Sequence, residues 1–119
     1  MVAHAVSPLG GSGFERYAKK SARCIGENPK TFPDTHGSPI LGMGWTALGA
    51  SFDDKAFRQL MDEHVWFFTL SHCPDGTFYY QPNRDNAGYG ADSRLSASAA
   101  VAFILSIPRR ALAVTGRQD

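Results

Sequence analysis

Three polar residues in the sequence have side chains suited to general acid and base chemistry. His36 and Asp92 each come just before a segment that is predicted to be a buried helix, so they occupy corresponding places in the chain. An acid and a base on one edge of a fold are what proton-transfer catalysis requires. Asp75 supplies a further carboxylate, as the second member of a glycosidase pair would. The candidate catalytic residues are therefore His36, Asp92 and Asp75.

Each of these residues also has a purely structural interpretation. Asp92 is a typical cap for the helix that follows it, and His36 suits a hydrogen bond within its own loop. Asp75 lies in the tripeptide Pro-Asp-Gly, which is typical of a tight turn. The sequence leaves the catalytic and the structural interpretations open.

The segment from Leu70 to Asp92 carries the residues that best suit ligand binding. It joins two helix-like segments, and connections of this length inside a compact domain are usually functional or disordered. Its tyrosines argue against disorder, because disordered segments are poor in aromatic residues. A tyrosine can stack on a sugar ring, and it can equally fill the space beneath a loop. The predicted ligand-binding residues are Tyr79, Tyr80, Tyr89 and Arg94.

Histidine and cysteine side chains do not show the spacing of a metal site. His72 adjoins Cys73, but Cys24, His36 and His64 lie far from them in the sequence, and no Cys-x-x-Cys motif occurs. The sequence also lacks a Gly-x-Ser-x-Gly elbow and a phosphate-binding loop. We therefore expect neither a metal nor a cofactor, and we expect both cysteines to be reduced.

The first two predicted helices form a pair with different surfaces. Ser12 and Glu15 make a capping-box pattern that opens an amphipathic helix, and Gly26 is its predicted end. The next helix opens at Ser38, has Pro39 in its first turn, and is apolar all round, which predicts burial on every side. Its two glycines at positions 42 and 44 predict a close approach of another backbone.

The next two predicted helices repeat this pattern. Ser51 and Asp54 make a second capping box before an amphipathic helix that ends at the Pro-Asp-Gly turn. A brief aromatic run, residues 77–81, is predicted to be a strand. The last helix, capped by Asp92 or Ser93, is rich in small side chains and is expected to be buried on most sides.

The alternation of amphipathic and buried helices predicts an all-α fold of two helical hairpins. With 119 residues, 43% of them hydrophobic, the chain is expected to form one compact unit. The hairpins cover residues 12–50 and 51–107, between a flexible N-terminal segment, 1–11, and a C-terminal tail, 108–119. Repeated hairpins commonly stack into solenoids or closed rings.

Charge and hydropathy exclude two classes of partner. The net charge is +1 and the basic residues are scattered, so the sequence has no stripe suited to a nucleic-acid backbone. No apolar run reaches the roughly 18 residues that a membrane span needs. The first residues do not have the pattern of a signal peptide, and the sequence does not fix a compartment.

A resemblance to a known family extends this interpretation. The segments "THGSPILGMGWTALGA", "VWFFTLSHCPDGTFYYQP", "YGADS" and "ALAVTG" occur between Thr35 and Gly116. In order and spacing they resemble the C-terminal part of an uncharacterised bacterial family with an α/α-toroid fold, related in architecture to the prenyltransferase and squalene-cyclase repeat proteins. The resemblance covers about two-thirds of the chain, and residues 13–34 look like part of the preceding hairpin.

The resemblance implies a role for the long loop. In such toroids the inner helices point their N-termini towards a central cavity, and the outer-to-inner loops form its rim. Leu70 to Asp92 would then be a rim loop that binds a glycan or another extended organic ligand, as part of a hydrolase or lyase. Because two hairpins are fewer than a ring needs, the chain would be a fragment of a larger toroid or a homo-oligomer. The alternative is a non-catalytic helical-repeat module that mediates protein association.

Overall fold

Four α-helices make up most of the structure. The computed structural model describes residues 12–31, 39–79 and 93–115. The helices are α1 (Ser12–Glu27), α2 (Pro39–Ala50), α3 (Asp54–Ser71) and α4 (Ser93–Ser106), and 3₁₀ turns follow at Ile107–Arg109 and Ala113–Thr115. Within the described ranges no strand is present, and one isolated bridge pairs His72 with Phe78. The all-α prediction is confirmed, and the predicted strand is wrong for its described residues, 77–79.

Helix α2 lies at the centre of the packing. It contacts α1, α3 and α4, while α1 and α3 also contact each other. Met43 of α2, Leu60 of α3 and Ile104 of α4 meet in the core and are at most 1% exposed. Helices α3 and α4 make far fewer backbone contacts with each other than the helix pairs named above do. Space is therefore left between the start of α3 and the end of α4.

The start of α3 differs from the prediction by two residues. Asp53 is the N-cap, and its carboxylate accepts a hydrogen bond from the Ala56 amide at 3.1 Å. The predicted cap, Ser51, belongs instead to the end of α2, because its hydroxyl donates to the Leu48 carbonyl at 2.7 Å. The hydroxyl satisfies the last turn of one helix and so does not cap the next. An Arg23–Asp53 ion pair at 3.1 Å then ties α1 to this cap.

A close helix contact occurs at Gly26, where the sequence predicted only the end of a helix. Gly26 is inside α1, which continues to Glu27, and a methyl group added there would lie 2.7 Å from the Ala56 backbone. At Gly44 an added methyl group would meet nothing within 4 Å, so the prediction of a close approach is wrong at that position. The crossing of α1 and α3 needs a glycine because the facing residue on α3 is held at its first turn.

The two apolar helices are not buried on every side. Leu41 and Trp45 of α2 are 40% and 47% exposed, and Leu95 and Leu105 of α4 are 74% and 53% exposed. The prediction of burial on every side is therefore wrong for α2, and the prediction of burial on most sides is wrong for α4. On α4 the buried positions, Ala97, Val101 and Ile104, follow one helical stripe, so the opposite stripe faces outwards.

Candidate functional site

A tight turn after α3 places the first candidate residue. The Gly76 amide donates to the Cys73 carbonyl at 3.0 Å, and Gly76 has a φ of 83°, which glycine adopts without strain. The chain then returns along the end of α3, where the Tyr79 amide donates to the Ser71 carbonyl at 2.8 Å. This return holds Asp75 and Tyr79 on a short, hydrogen-bonded loop beside the first turns of α4.

Asp75 is the centre of a polar cluster. Its Oδ1 accepts hydrogen bonds from the Thr77 hydroxyl at 2.6 Å and the Thr77 amide at 3.0 Å. Its Oδ2 accepts one from Nη1 of Arg94, across the gap to α4, at 2.7 Å. The pKa of the Asp75 carboxyl is lowered, first by the hydrogen bonds from the Thr77 hydroxyl and amide; desolvation opposes this shift, and the nearby Arg94 charge lowers the pKa by less than desolvation raises it. The carboxylate is therefore ionised at neutral pH and acts as an acceptor.

Arg94 also joins Tyr79 to this cluster. Its guanidinium carbon lies 5.9 Å from the centre of the Tyr79 ring, within the range of a cation–π contact. One turn further along α4, the Ser98 hydroxyl accepts a hydrogen bond from the Phe78 amide at 2.9 Å. Arg94 and Ser98 are four residues apart and so share one face of α4, and together they fix the loop against the helix.

The cluster of Asp75, Thr77, Tyr79 and Arg94 combines several kinds of binding group. It offers carboxylate acceptors, guanidinium donors, a hydroxyl group and an aromatic ring, while the two formal charges cancel. The Asp75 and Arg94 side chains are 56% and 51% exposed, so both remain accessible to a ligand. Such a set suits a ligand with many hydroxyl groups. A general acid needs a raised pKa, so the lowered value at Asp75 does not favour that role.

A groove near the start of α3, remote from the Asp75 cluster, was not foreseen from the sequence. It has a volume of about 690 Å³ and lies between the first half of α3 and the 3₁₀ turns that follow α4. Its apolar floor is formed by Phe57, Met61, Ile107 and Pro108. Its charged rim is formed by Asp54, Arg58, Asp62 and Arg110. We call this feature the α3 groove.

Arg110 has the most unusual backbone in the α3 groove. Its φ of 49° lies in the left-handed region, and its amide closes the 3₁₀ turn on the Ile107 carbonyl at 3.1 Å. Its guanidinium reaches Asp54 at 3.5 Å, across the mouth of the groove. Pro108 was the available sequence signal, because it ends a helix, but nothing local indicates that the turn faces α3.

Comparison with known protein families assigns the chain to one family. A family model described as a domain of unknown function, DUF6288, matches residues 8–116, which is most of the sequence. The chain belongs to the DUF6288 family. Neither a curated protein nor a solved structure matches it at a significant level.

The other predicted site residues of this DUF6288 domain lie outside the described residues. They are His36, Asp92, Tyr80 and Tyr89, so the structure brings together only Asp75, Tyr79 and Arg94 of the predicted set. His64, on the apolar stripe of α3, is 4% exposed and its Nδ1 lies 2.9 Å from the Leu60 carbonyl.

Metal-binding clusters and membrane-spanning helices do not occur in the described part of the DUF6288 chain. In residues 12–31, 39–79 and 93–115, no three His, Cys, Asp or Glu side chains come together as metal ligands would. Cys24 and Cys73 are free thiols. None of the helices in those ranges is both long and apolar enough to cross a membrane.

Proposed function

We propose that this domain is part of an α/α-toroid whose rim binds a carbohydrate or another extended organic ligand. In this proposal α1 and α3 are outer helices, α2 and α4 are inner helices, and the loop after α3 belongs to the rim of a central cavity. The contacts support it, because α1 packs on α3 and α2 packs on α4, as neighbouring hairpins of a repeat protein do.

The Asp75–Arg94 pair, with Tyr79 beside it, is the observation that carries the ligand-binding proposal. Residues from the loop and from the first turn of α4 converge there, although they lie 19 positions apart in the sequence. The ion pair holds both polar groups in place while leaving them half exposed, and Tyr79 supplies a flat apolar surface at 37% exposure. Preordered donors, acceptors and a ring reduce the entropy that a sugar ligand must overcome on binding.

A hydrolase or lyase activity stays a prediction that depends on His36 and Asp92. Asp75 contributes to it as a fixed acceptor for ligand hydroxyl groups, since its lowered pKa keeps it ionised. Asp92→Asn keeps a good helix cap and removes the carboxylate. Unchanged turnover of an identified substrate in this variant would exclude a catalytic role for Asp92.

Binding can be tested with an oligosaccharide panel that contains neutral and uronic-acid chains. We expect a neutral chain to shift the amide resonances of Thr77 and Tyr79, and Arg94→Ala to weaken its affinity by about tenfold, the effect of losing one charge-assisted hydrogen bond. Arg109→Ala is the matched control, because Arg109 is exposed and forms no ion pair among the described residues. Binding that is equally affected by both variants, or absent throughout the panel, would contradict the proposal.

A second candidate function is protein association through exposed apolar helix faces. The specific observation is that all four helices expose large apolar side chains, including Tyr17 at 62%, Trp45 at 47%, Trp66 at 57% and Leu95 at 74%. Exposed apolar surface on several elements is typical of an interaction site. This candidate makes the chain a repeat module that is completed by further hairpins, with or without catalysis.

A further inference from the structure

We propose that the Asp75–Arg94 pair recognises a vicinal diol, that is, two hydroxyl groups on neighbouring carbon atoms of a sugar ring. One ligand hydroxyl would donate a hydrogen bond to Asp75, and the oxygen of its neighbour would accept one from Arg94. This inference rests on the proposed ligand-binding function of the site, and it names the part of the ligand that the pair contacts.

A single hydrogen bond joins Arg94 to Asp75. Nη1 of Arg94 donates to Oδ2 at 2.7 Å, whereas arginine–carboxylate pairs frequently form two parallel hydrogen bonds. The other oxygen, Oδ1, accepts hydrogen bonds from the Thr77 hydroxyl at 2.6 Å and from the Thr77 amide at 3.0 Å. The ion pair therefore does not use the full binding capacity of either side chain.

Both side chains keep hydrogen-bonding groups that a ligand could use. The Asp75 carboxylate is ionised at neutral pH, so each of its oxygens can accept about two hydrogen bonds. Among the described residues Oδ1 accepts two, both from Thr77, whereas Oδ2 accepts one, from Arg94. Nη1 of Arg94 is shared between Asp75 and the Thr77 hydroxyl, while Nη2 and Nε make no hydrogen bond within the described ranges. The pair thus offers one acceptor beside several donors.

The spacing of these groups suits hydroxyls on neighbouring carbon atoms. The acceptor and the donors flank one hydrogen bond of 2.7 Å, and neighbouring equatorial hydroxyl oxygens of a sugar ring lie at a similar separation. Each hydroxyl can donate to Oδ2 or accept from Arg94, so either order of the two is possible. Tyr79, whose ring centre lies 5.9 Å from the Arg94 guanidinium carbon, provides an apolar surface for the C–H groups of the same ring.

Thr77 is the positioning residue of this arrangement. Its hydroxyl donates to Oδ1 of Asp75 and accepts from Nη1 of Arg94 at 3.3 Å, so it lies between the two charged groups. Without this hydroxyl, Oδ1 would be free to form the second hydrogen bond to Arg94, and the closed pair would leave fewer groups for a ligand. Recognition of the diol would therefore depend on a hydroxyl that need not touch the ligand.

The test compares two isomers of one sugar on the full wild-type chain. Methyl α-glucopyranoside methylated at O2 keeps a vicinal diol at carbons 3 and 4, whereas the isomer methylated at O3 has no two neighbouring hydroxyl groups. The isomers have the same mass, charge and number of hydroxyl groups. We expect the O2-methyl isomer to shift the amide resonances of Thr77 and Tyr79. The O3-methyl isomer should bind at least about tenfold more weakly, the effect of losing one hydrogen bond to a charged group.

Substitutions of Thr77 test its positioning role. Thr77→Val should abolish the preference between the two isomers, and Thr77→Ser, which keeps the hydroxyl, should restore it. Thr69→Val is the matched control, because Thr69 is exposed and its hydroxyl donates to the Val65 carbonyl at 2.9 Å within α3. A preference that survives Thr77→Val, or that is lost equally in Thr69→Val, would overturn this role for Thr77.

The other outcomes on the wild-type chain separate this inference from ligand binding itself. If the two isomers bind equally, the diol assignment is wrong and ligand binding at the cluster stands. The same conclusion follows if neither isomer binds while a neutral chain of the oligosaccharide panel does, because a single diol is then not the unit that the pair recognises. If neither isomer and no chain of the panel binds, both proposals are overturned.

Discussion

Replacing Gly26 by alanine is expected to destabilise the protein, because α1 and α3 leave no room for a methyl group where they cross. The new carbon would lie 2.7 Å from the Cα and 2.8 Å from the Cβ of Ala56, and 2.8 Å from Oε1 of Gln59. The Gln59 side chain can move away. Ala56 cannot, since it lies in the first turn of α3 and is 1% exposed.

The size of the effect follows from these distances. Carbon atoms in contact normally lie about 3.5–4.0 Å apart, so the helices must separate by roughly 1 Å. Overpacking of this kind costs about 1–3 kcal/mol. Alanine recovers up to about 1 kcal/mol through its higher helix propensity, and less than that in the last turn of a helix. We therefore expect Gly26→Ala to lower the free energy of unfolding by about 1–2 kcal/mol.

Urea unfolding followed by far-UV circular dichroism would measure this change, with Gly44→Ala as the matched control. Gly44 is also a buried helical glycine, but an added methyl group there meets nothing within 4 Å. Gly44→Ala should therefore stabilise the protein by about 0.5–1 kcal/mol. The two substitutions are chemically identical and should have opposite signs. A Gly26→Ala variant as stable as the wild type would refute the close crossing of α1 and α3.

Three other predictions concern the ends of α3 and the loop that follows it. The pKa of Asp53 is lowered, first by the hydrogen bond from Arg23 and then by the one from the Ala56 amide. The stabilising contribution of the Asp53 carboxylate is therefore complete above the ordinary pKa of 3.8 and is lost as the pH falls through the lowered pKa. Asp53→Asn should therefore flatten the acid limb of a plot of stability against pH. An acid limb that is the same in the variant and the wild type would mean that these contacts are absent. Ser98→Ala removes the acceptor of the Phe78 amide, and hydrogen exchange at that amide should become faster, while unaltered protection would contradict the bond. Gly76→Ala forces alanine to a φ of 83° and should cost about 1–2 kcal/mol in thermal or urea unfolding, whereas a neutral effect would mean that the turn has another conformation.

The candidate site was predictable in its residue types but not in its contacts. Asp75, Tyr79 and Arg94 could be named from the sequence because a carboxylate, an aromatic ring and a guanidinium in one loop region suit ligand binding. Their convergence could not be predicted, because it depends on how α4 is rotated relative to the loop. That rotation is set by the burial of Val101 and Ile104 against α2, far from the site.

Helix boundaries show where local signals compete. Ser51 has the sequence pattern of a cap for α3, yet its hydroxyl bonds to the Leu48 carbonyl at the end of α2, and Asp53 caps α3 instead. Both residues are good caps, so the sequence alone does not choose between them. The choice follows from Arg23 on α1, which pairs with Asp53 and not with Ser51.

The sequence by itself determined the four helices, since apolar spacing, capping residues, glycine and proline act within a few residues of the chain. Only the tertiary structure decided which glycine lies at a helix crossing, which carboxylate meets an arginine, and where a groove is left open. These features depend on contacts between residues that are distant in sequence, such as Gly26 with Ala56 and Asp75 with Arg94. The free energy of such contacts comes from the relative positions of whole helices, and no local pattern of residues encodes those positions.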